Sequence, residues 1–242
     1  MNARSSVSKL TIEIRQIKET LLAIFAPLIL QRTHGKIRYT AENIYQHGSV
    51  GFKEVLCDSI PFTYVCVNSN ELNAKLQTEI DLFCSEVSSI LNNTERVLHD
   101  SFSDSAKYEI VIPSAKIGLE FYQRQRRLLL PQDVPWEIWQ MDLTVVRATD
   151  DGYLSSLADS LADELTSLHL NFISAINQSI YLPKVPSKSE LLNVFDDSIS
   201  DCNPYLYRIV RPQLSDGSRS SSYWQSAGGA TVRRFLKDTL SF

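Results

Sequence analysis

The stretch DGYLSSLADSLADELTSLHLNFISAINQ, from Asp151 to Gln178, sets the class of fold. Leu154, Leu157, Leu161, Leu165, Leu168, Phe172 and Ile176 recur at three- and four-residue spacing, which puts them on one stripe of a long amphipathic helix. Leu170 and Ile173 fall well off that stripe, with His169 among the apolar positions. Two explanations fit: the helix is central to its own fold, or its second face meets a partner. The first is favoured from the pattern.

Immediately before this helix, strict alternation of Trp139, Met141, Leu143 and Val145 marks a strand. Further upstream, Tyr108 to Ile112 and Ile117 to Tyr122 read as two strands broken near Pro113. Leu72, Leu76, Ile80, Phe83, Val87 and Ile90 form a second helical stripe, and Asn68 with Glu71 reads as its cap. Ile37 to Tyr39, Gly51 to Leu56 and Pro61 to Val67 are predicted strands. Near the start, alternating Leu10, Ile12 and Ile14 give a strand. Ile17, Leu21, Ile24, Phe25, Leu28 and Ile29 then give a helix that Pro27 is expected to kink or shorten. Downstream, Ser187 with Glu190 suggests another capping box, and Tyr205 to Val210 a strand. The polar run 92–105 is expected to be a flexible insertion, and the Ser- and Gly-rich 215–229 a mobile C-terminal segment. Long helices among hairpin-like strands predict an α+β fold with a mixed or antiparallel sheet. No linker divides residues 1–242, so a single domain is expected.

Composition narrows the function classes. The 242 residues are 43% hydrophobic and 21% charged, ordinary for a globular chain with a sizeable core. The formal net charge of -4 offers no overall field for nucleic acid. The start lacks the apolar stretch of a signal peptide, and the longest apolar run, Leu21 to Leu30, is about half a membrane span. A cytoplasmic location follows as an expectation. Cys57, Cys66, Cys84 and Cys202 show no CxxC or Cys/His ligand spacing and read as buried thiols rather than disulfides or metal ligands.

Few groups capable of chemistry converge in the sequence. His34, His47, His99 and His169 have no HExxH-type spacing, and no nucleophile elbow, phosphate loop or dinucleotide fingerprint occurs. The adjacent carboxylates Asp150-Asp151 and Asp196-Asp197 point apart, so helix-end or turn roles are preferred to a shared proton. No catalytic residue, metal site or cofactor is assigned. One cluster stands out: Arg124, Arg126 and Arg127, followed by Leu128, Leu129, Leu130 and Pro131. The arginines suit an acidic partner or anionic lipid, although such a run is more often a solvated strand end. The leucines either insert into a partner or membrane or fold back on the core.

Several blocks in order along the chain resemble the autophagy-related protein 101 family. They are Phe62-Thr63-Tyr64-Val65, Leu119-Glu120-Phe121-Tyr122-Gln123, Pro135-Trp136-Glu137-Ile138-Trp139, Tyr181-Leu182-Pro183-Lys184-Val185-Pro186, Asn193-Val194-Phe195-Asp196, Pro204-Tyr205-Leu206-Tyr207 and Arg233 to Leu240. The resemblance implies a single HORMA domain, a sheet packed against three main helices, and no enzymatic activity. It implies pairing with the HORMA domain of autophagy-related protein 13 and, through it, a place in the kinase complex that initiates autophagosome formation. The expected location is the phagophore assembly site. HORMA dimers commonly use the third helix, which makes His169, Leu170 and Ile173 the candidate partner-binding residues. Residues Arg124 to Pro131 are the candidate recruitment loop, for downstream factors or transient membrane contact. Animal members carry an exposed Trp-Phe finger there. The interval from Arg124 to Val134 is shorter and has neither residue, and extra polar residues follow Ser88, traits of a fungal or otherwise divergent member. The alternatives are a HORMA-type adaptor of another signalling or chromosome-associated complex, and an enzyme whose site leaves no sequence motif.

Overall fold

The computed structural model describes residues 3–95, 108–126, 131–176 and 182–212. Trp139, Met141, Leu143 and Val145 lie on β8 (Pro131–Ala148) and are all buried, as their alternation requires. β8 pairs antiparallel with β7 (Tyr108–Arg126) and parallel with β1 (Arg4–Glu13), and β10 (Tyr207–Val210) closes the other side, giving the order β1-β8-β7-β10. The mixed sheet predicted from sequence is therefore present. The expected break near Pro113 is a local irregularity instead. β7 continues through it, with register shifts between Ile110 and Ile112 and between Ile112 and Ala115. A bulge accommodates the missing proline donor without ending the strand.

Among the described residues three helices accompany the sheet: α1 (Ile17–Leu30), α2 (Asn70–Glu95) and α3 (Asp151–Ile176). Between α1 and α2 the chain makes β2 (Thr33–Gly35), β3 (Ile37–Ala41), β4 (Ile44–His47), β5 (Phe52–Leu56) and β6 (Thr63–Val67). β3–β4 and β5–β6 are antiparallel hairpins, and β2 pairs with β9 (Cys202–Pro204). The central helix is α1 rather than α3. It packs against α2, α3 and β6, and residues on all its sides are buried. Its near-continuous apolar sequence is that of a helix enclosed all round.

Pro27 lies inside α1, which runs on to Leu30. The structure corrects three further boundaries. Residues 92–95 are helical as part of α2, so the expected flexible insertion does not include them; residues 96–105 and 215–229 lie outside the described residues. The cap of α2 is Ser69, whose Oγ accepts the Leu72 amide, not Asn68 one position earlier. Ser187 makes no capping bond to the 3-10 helix Lys188–Asn193; the Ser189 amide is taken by Glu42 instead.

A buried ion pair ties the layers together. Arg32, after α1, places Nη2 at 2.8 Å from Oε2 of Glu137 on β8, and Trp139 Nε1 donates to Oε1 of the same carboxylate at 2.7 Å. Arg32 and Glu137 are 3% and 2% exposed. A single cluster of buried apolar residues spans β1, all three helices, β7, β8 and the 191–207 region.

Candidate partner-binding surface

Helix α3 begins where Asp150 Oδ1 accepts the Tyr153 amide at 2.7 Å, the helix-end role expected for the Asp150-Asp151 pair. Its buried positions are Ala158, Leu161, Leu165, Leu168, Phe172 and Ile176. Five of the seven predicted stripe residues are thus in the core, while Leu154 and Leu157 near the N-terminus are half-buried and Ala158 lies inside. Phe172 meets Trp139 of the sheet edge-to-face, with ring centroids 4.8 Å apart.

Among the described residues nothing covers the second face of α3. Leu170 is 62% and Ile173 54% exposed, two of eight large apolar side chains left in that state among the described residues. Asp163, Thr166, Ser167 and Ser174, also exposed, occupy neighbouring positions on the same side by helical spacing. The second apolar face therefore does not arise from enclosure within the described fold. An apolar pair inside a polar rim has the anatomy of an interface centre.

Two polar ties bracket that pair. On one side, Nε2 of His169 lies 2.9 Å from the carbonyl oxygen of Ala23 in α1. A carbonyl only accepts, so the ring is the Nε2–H tautomer. Phe62 meets this ring edge-on at 5.1 Å, and Phe172 lies at 6.0 Å. Burial lowers the His169 pKa, outweighing the opposing effect of its bond to Ala23, so the imidazole is neutral at pH 7. On the other side, Arg4 of β1 donates through Nη1 to the carbonyl of Ala175. His169 thus points inward, and the outward-facing members of the candidate triplet are Leu170 and Ile173.

The candidate recruitment segment lies elsewhere along the chain, where β7 ends and β8 begins. Register pairing along this arm reaches Arg126 opposite Pro131, whereas pairing with β10 stops at Phe121 and with β1 at Glu137. The arm thus runs on past its flanking strands. Arg124 is exposed and donates to the carbonyl of Leu192 at 3.3 Å. Arg127, Leu128, Leu129 and Leu130 lie outside the described residues, as do the side chains of Arg126 and Pro131.

Sequence reasoning missed a second exposed apolar pair. Phe52 (67% exposed) and Leu56 (71%) share one face of β5. Their signal was present as two large residues four apart in a strand, hence on one side.

The remaining chemistry is structural. Cys57, Cys66 and Cys202 are buried and Cys84 is half-buried. Burial pushes the Cys57 and Cys84 thiols up to about 11 and that of Cys202 to about 12. Such thiols are poor nucleophiles at neutral pH. Asp196 and Asp197 turn to different lysines, Lys75 at 2.5 Å and Lys36 at 2.8 Å. Among the described residues no group of three or more His, Cys, Asp or Glu side chains is placed to hold a metal ion, and no helix is long and apolar enough to cross a membrane.

A mixed sheet of order β1-β8-β7-β10 accompanied by three helices is a HORMA-like architecture. The pattern of the autophagy-related protein 101 family matches residues 9–189. Autophagy-related protein 101 of Xenopus tropicalis is 33% identical over 243 residues, covering all of both chains. The Homo sapiens and Bos taurus proteins of that name are likewise 33% identical over their whole length. The chain belongs to the autophagy-related protein 101 family. Membership gives it a general scaffold role in autophagy.

Proposed function

We propose that this chain is a scaffold subunit of the autophagy-initiating kinase complex, that it binds and stabilises the HORMA domain of autophagy-related protein 13, and that it does so through Leu170 and Ile173. It acts in the cytoplasm at the phagophore assembly site. The observation that carries this reading is the exposure of both side chains on a helix held on either side of them, through the His169 ring and through the Ala175 carbonyl. A rigid apolar pair loses little conformational freedom on docking, so its burial contributes more net affinity than a mobile one would.

The test is Ile173→Asp. At 54% exposure the aspartate keeps access to water in the free protein, so the variant folds. In a complex it places an unpaired carboxylate in an apolar contact, and pairing is lost. An unfolded variant would make Ile173 a core residue; a folded variant that still pairs would remove Leu170 and Ile173 from the interface.

A second surface is carried by the β7–β8 arm, which outruns the strands on both sides. We propose that Arg124, Arg126, Arg127, Leu128, Leu129, Leu130 and Pro131 recruit downstream factors or touch an anionic membrane. Changing Leu128, Leu129 and Leu130 together to Ser leaves pairing intact and weakens recruitment. Unchanged binding to downstream autophagy factors and to anionic vesicles would end that idea.

A further inference from the structure

In an α-helix the amide of residue 27 donates to the carbonyl of residue 23. Position 27 is proline and has no amide hydrogen. Ala23 is fully buried, so water is not at hand to replace the lost donor. The carbonyl left without its helical donor is the one that His169 Nε2 reaches at 2.9 Å, across 146 residues of chain. The imidazole is held for this by Phe62, edge-on at 5.1 Å. Loss of the donor on α1 and supply of a donor from α3 thus meet at one atom.

We infer that Pro27 and His169 form a helix–helix staple, in which His169 replaces the missing amide of α1 and thereby sets the rotation of α3 that presents Leu170 and Ile173. His169 is a positioning residue: it faces α1 while its immediate neighbour Leu170 faces out. Its part in presenting the docking face rests on the proposed function above; the staple itself does not. The pairing also explains how α1 runs past Pro27 to Leu30.

The discriminating feature is that the two residues must be coupled. Restoring the amide by Pro27→Ala makes the histidine donor dispensable. Four proteins are compared by urea unfolding: the unaltered chain, His169→Phe, Pro27→Ala and the double variant. Phenylalanine keeps an aromatic ring against Phe62 and removes the donor. With Pro27 present, His169→Phe raises the unfolding equilibrium constant roughly 5- to 150-fold, the range for an orphaned buried carbonyl. In the Pro27→Ala background the same change has an effect of a few-fold at most. Equal effects in the two backgrounds overturn the staple, because a mere loss of packing is indifferent to residue 27.

Imidazole nitrogen NMR of the unaltered chain gives a second readout that does not depend on any variant folding. It shows His169 as the Nε2–H tautomer; a dominant Nδ1–H tautomer contradicts the proposal. Affinity for the HORMA domain of autophagy-related protein 13, measured where every variant is folded, tests the positioning role. It falls for His169→Phe and returns in the double variant. Unaltered affinity alongside coupled stabilities overturns the positioning half. If Ile173→Asp still pairs, the docking reading fails, while the coupled stabilities continue to decide the staple independently.

Discussion

Replacing Glu137 by Gln removes one charge from the buried pair that joins the end of α1 to β8. The carboxylate receives Arg32 through Nε at 3.2 Å and Nη2 at 2.8 Å, and the Trp139 indole at 2.7 Å. Glutamine has the same size but one accepting oxygen, so the guanidinium and the indole compete for it, and its amide group faces donors. The Arg32 cation, 3% exposed and 5.9 Å from the Trp136 ring, is left without its counter-charge. Breaking a buried pair in this way costs about 3–5 kcal/mol, a large share of a total stability of about 5–15 kcal/mol. With a urea dependence of about 3 kcal/mol per molar, the upper end for small proteins and fitting a chain of this length, the unfolding midpoint falls by on the order of 1–2 M. Arg32→Met with Glu137→Leu removes both charges and orphans only the Trp139 N–H, a loss of about 1–3 kcal/mol. The double variant is therefore more stable than Glu137→Gln alone. A single-variant midpoint within about 0.3 M of the unaltered chain, or a double variant weaker than the single, is incompatible with a buried charge left unpaired.

At Gly35 a Cβ would lie 2.1 Å from the carbonyl oxygen of Gly48, a backbone atom, so Gly35→Ala forces β2 and the β4–β5 connection apart. Urea unfolding should register a loss of about 1–3 kcal/mol or more; an unchanged midpoint would show that the two backbones yield freely. Burial lowers the pKa of His169, and burial together with the nearby His47 lowers that of His34. The unfolded chain then binds more protons than the folded one once pH drops through the ordinary histidine value of about 6.5, so stability is full above it and falls below it. Urea midpoints should drop between pH 7.5 and 5.5, and the drop should shrink in His169→Phe; a flat profile contradicts both assignments.

Much of this architecture was legible because the patterns are long. Seven positions at helical spacing announced α3, and four alternating ones announced β8. Sequence reasoning weakened wherever a remote residue supplies what a local rule finds missing. Pro27 predicted a kink, and the donor that answers it comes from His169 in a different helix. Ser187 and Glu190 have capping spacing, yet Glu42 from the β3–β4 turn takes the Ser189 amide. Periodicity also showed Leu170 and Ile173 off the core stripe without saying whether neighbouring elements cover them. That depends on where α1 and the β5–β6 hairpin lie, which is tertiary information. Phe52 and Leu56 were overlooked because a short strand with two apolar residues on one face normally signals a buried side.

If the open side of α3 docks a HORMA domain, its apolar side chains lose contact with water in the complex. Hydroxyl-radical footprinting of the chain, alone and with the HORMA domain of autophagy-related protein 13, reads side-chain solvent access at each apolar residue. Labelling of Leu170 and Ile173 should fall on complex formation while that of Phe52 and Leu56 does not. Undiminished labelling of Leu170 and Ile173 in a complex that shields Phe52 and Leu56 would contradict docking on α3 and move the interface to β5.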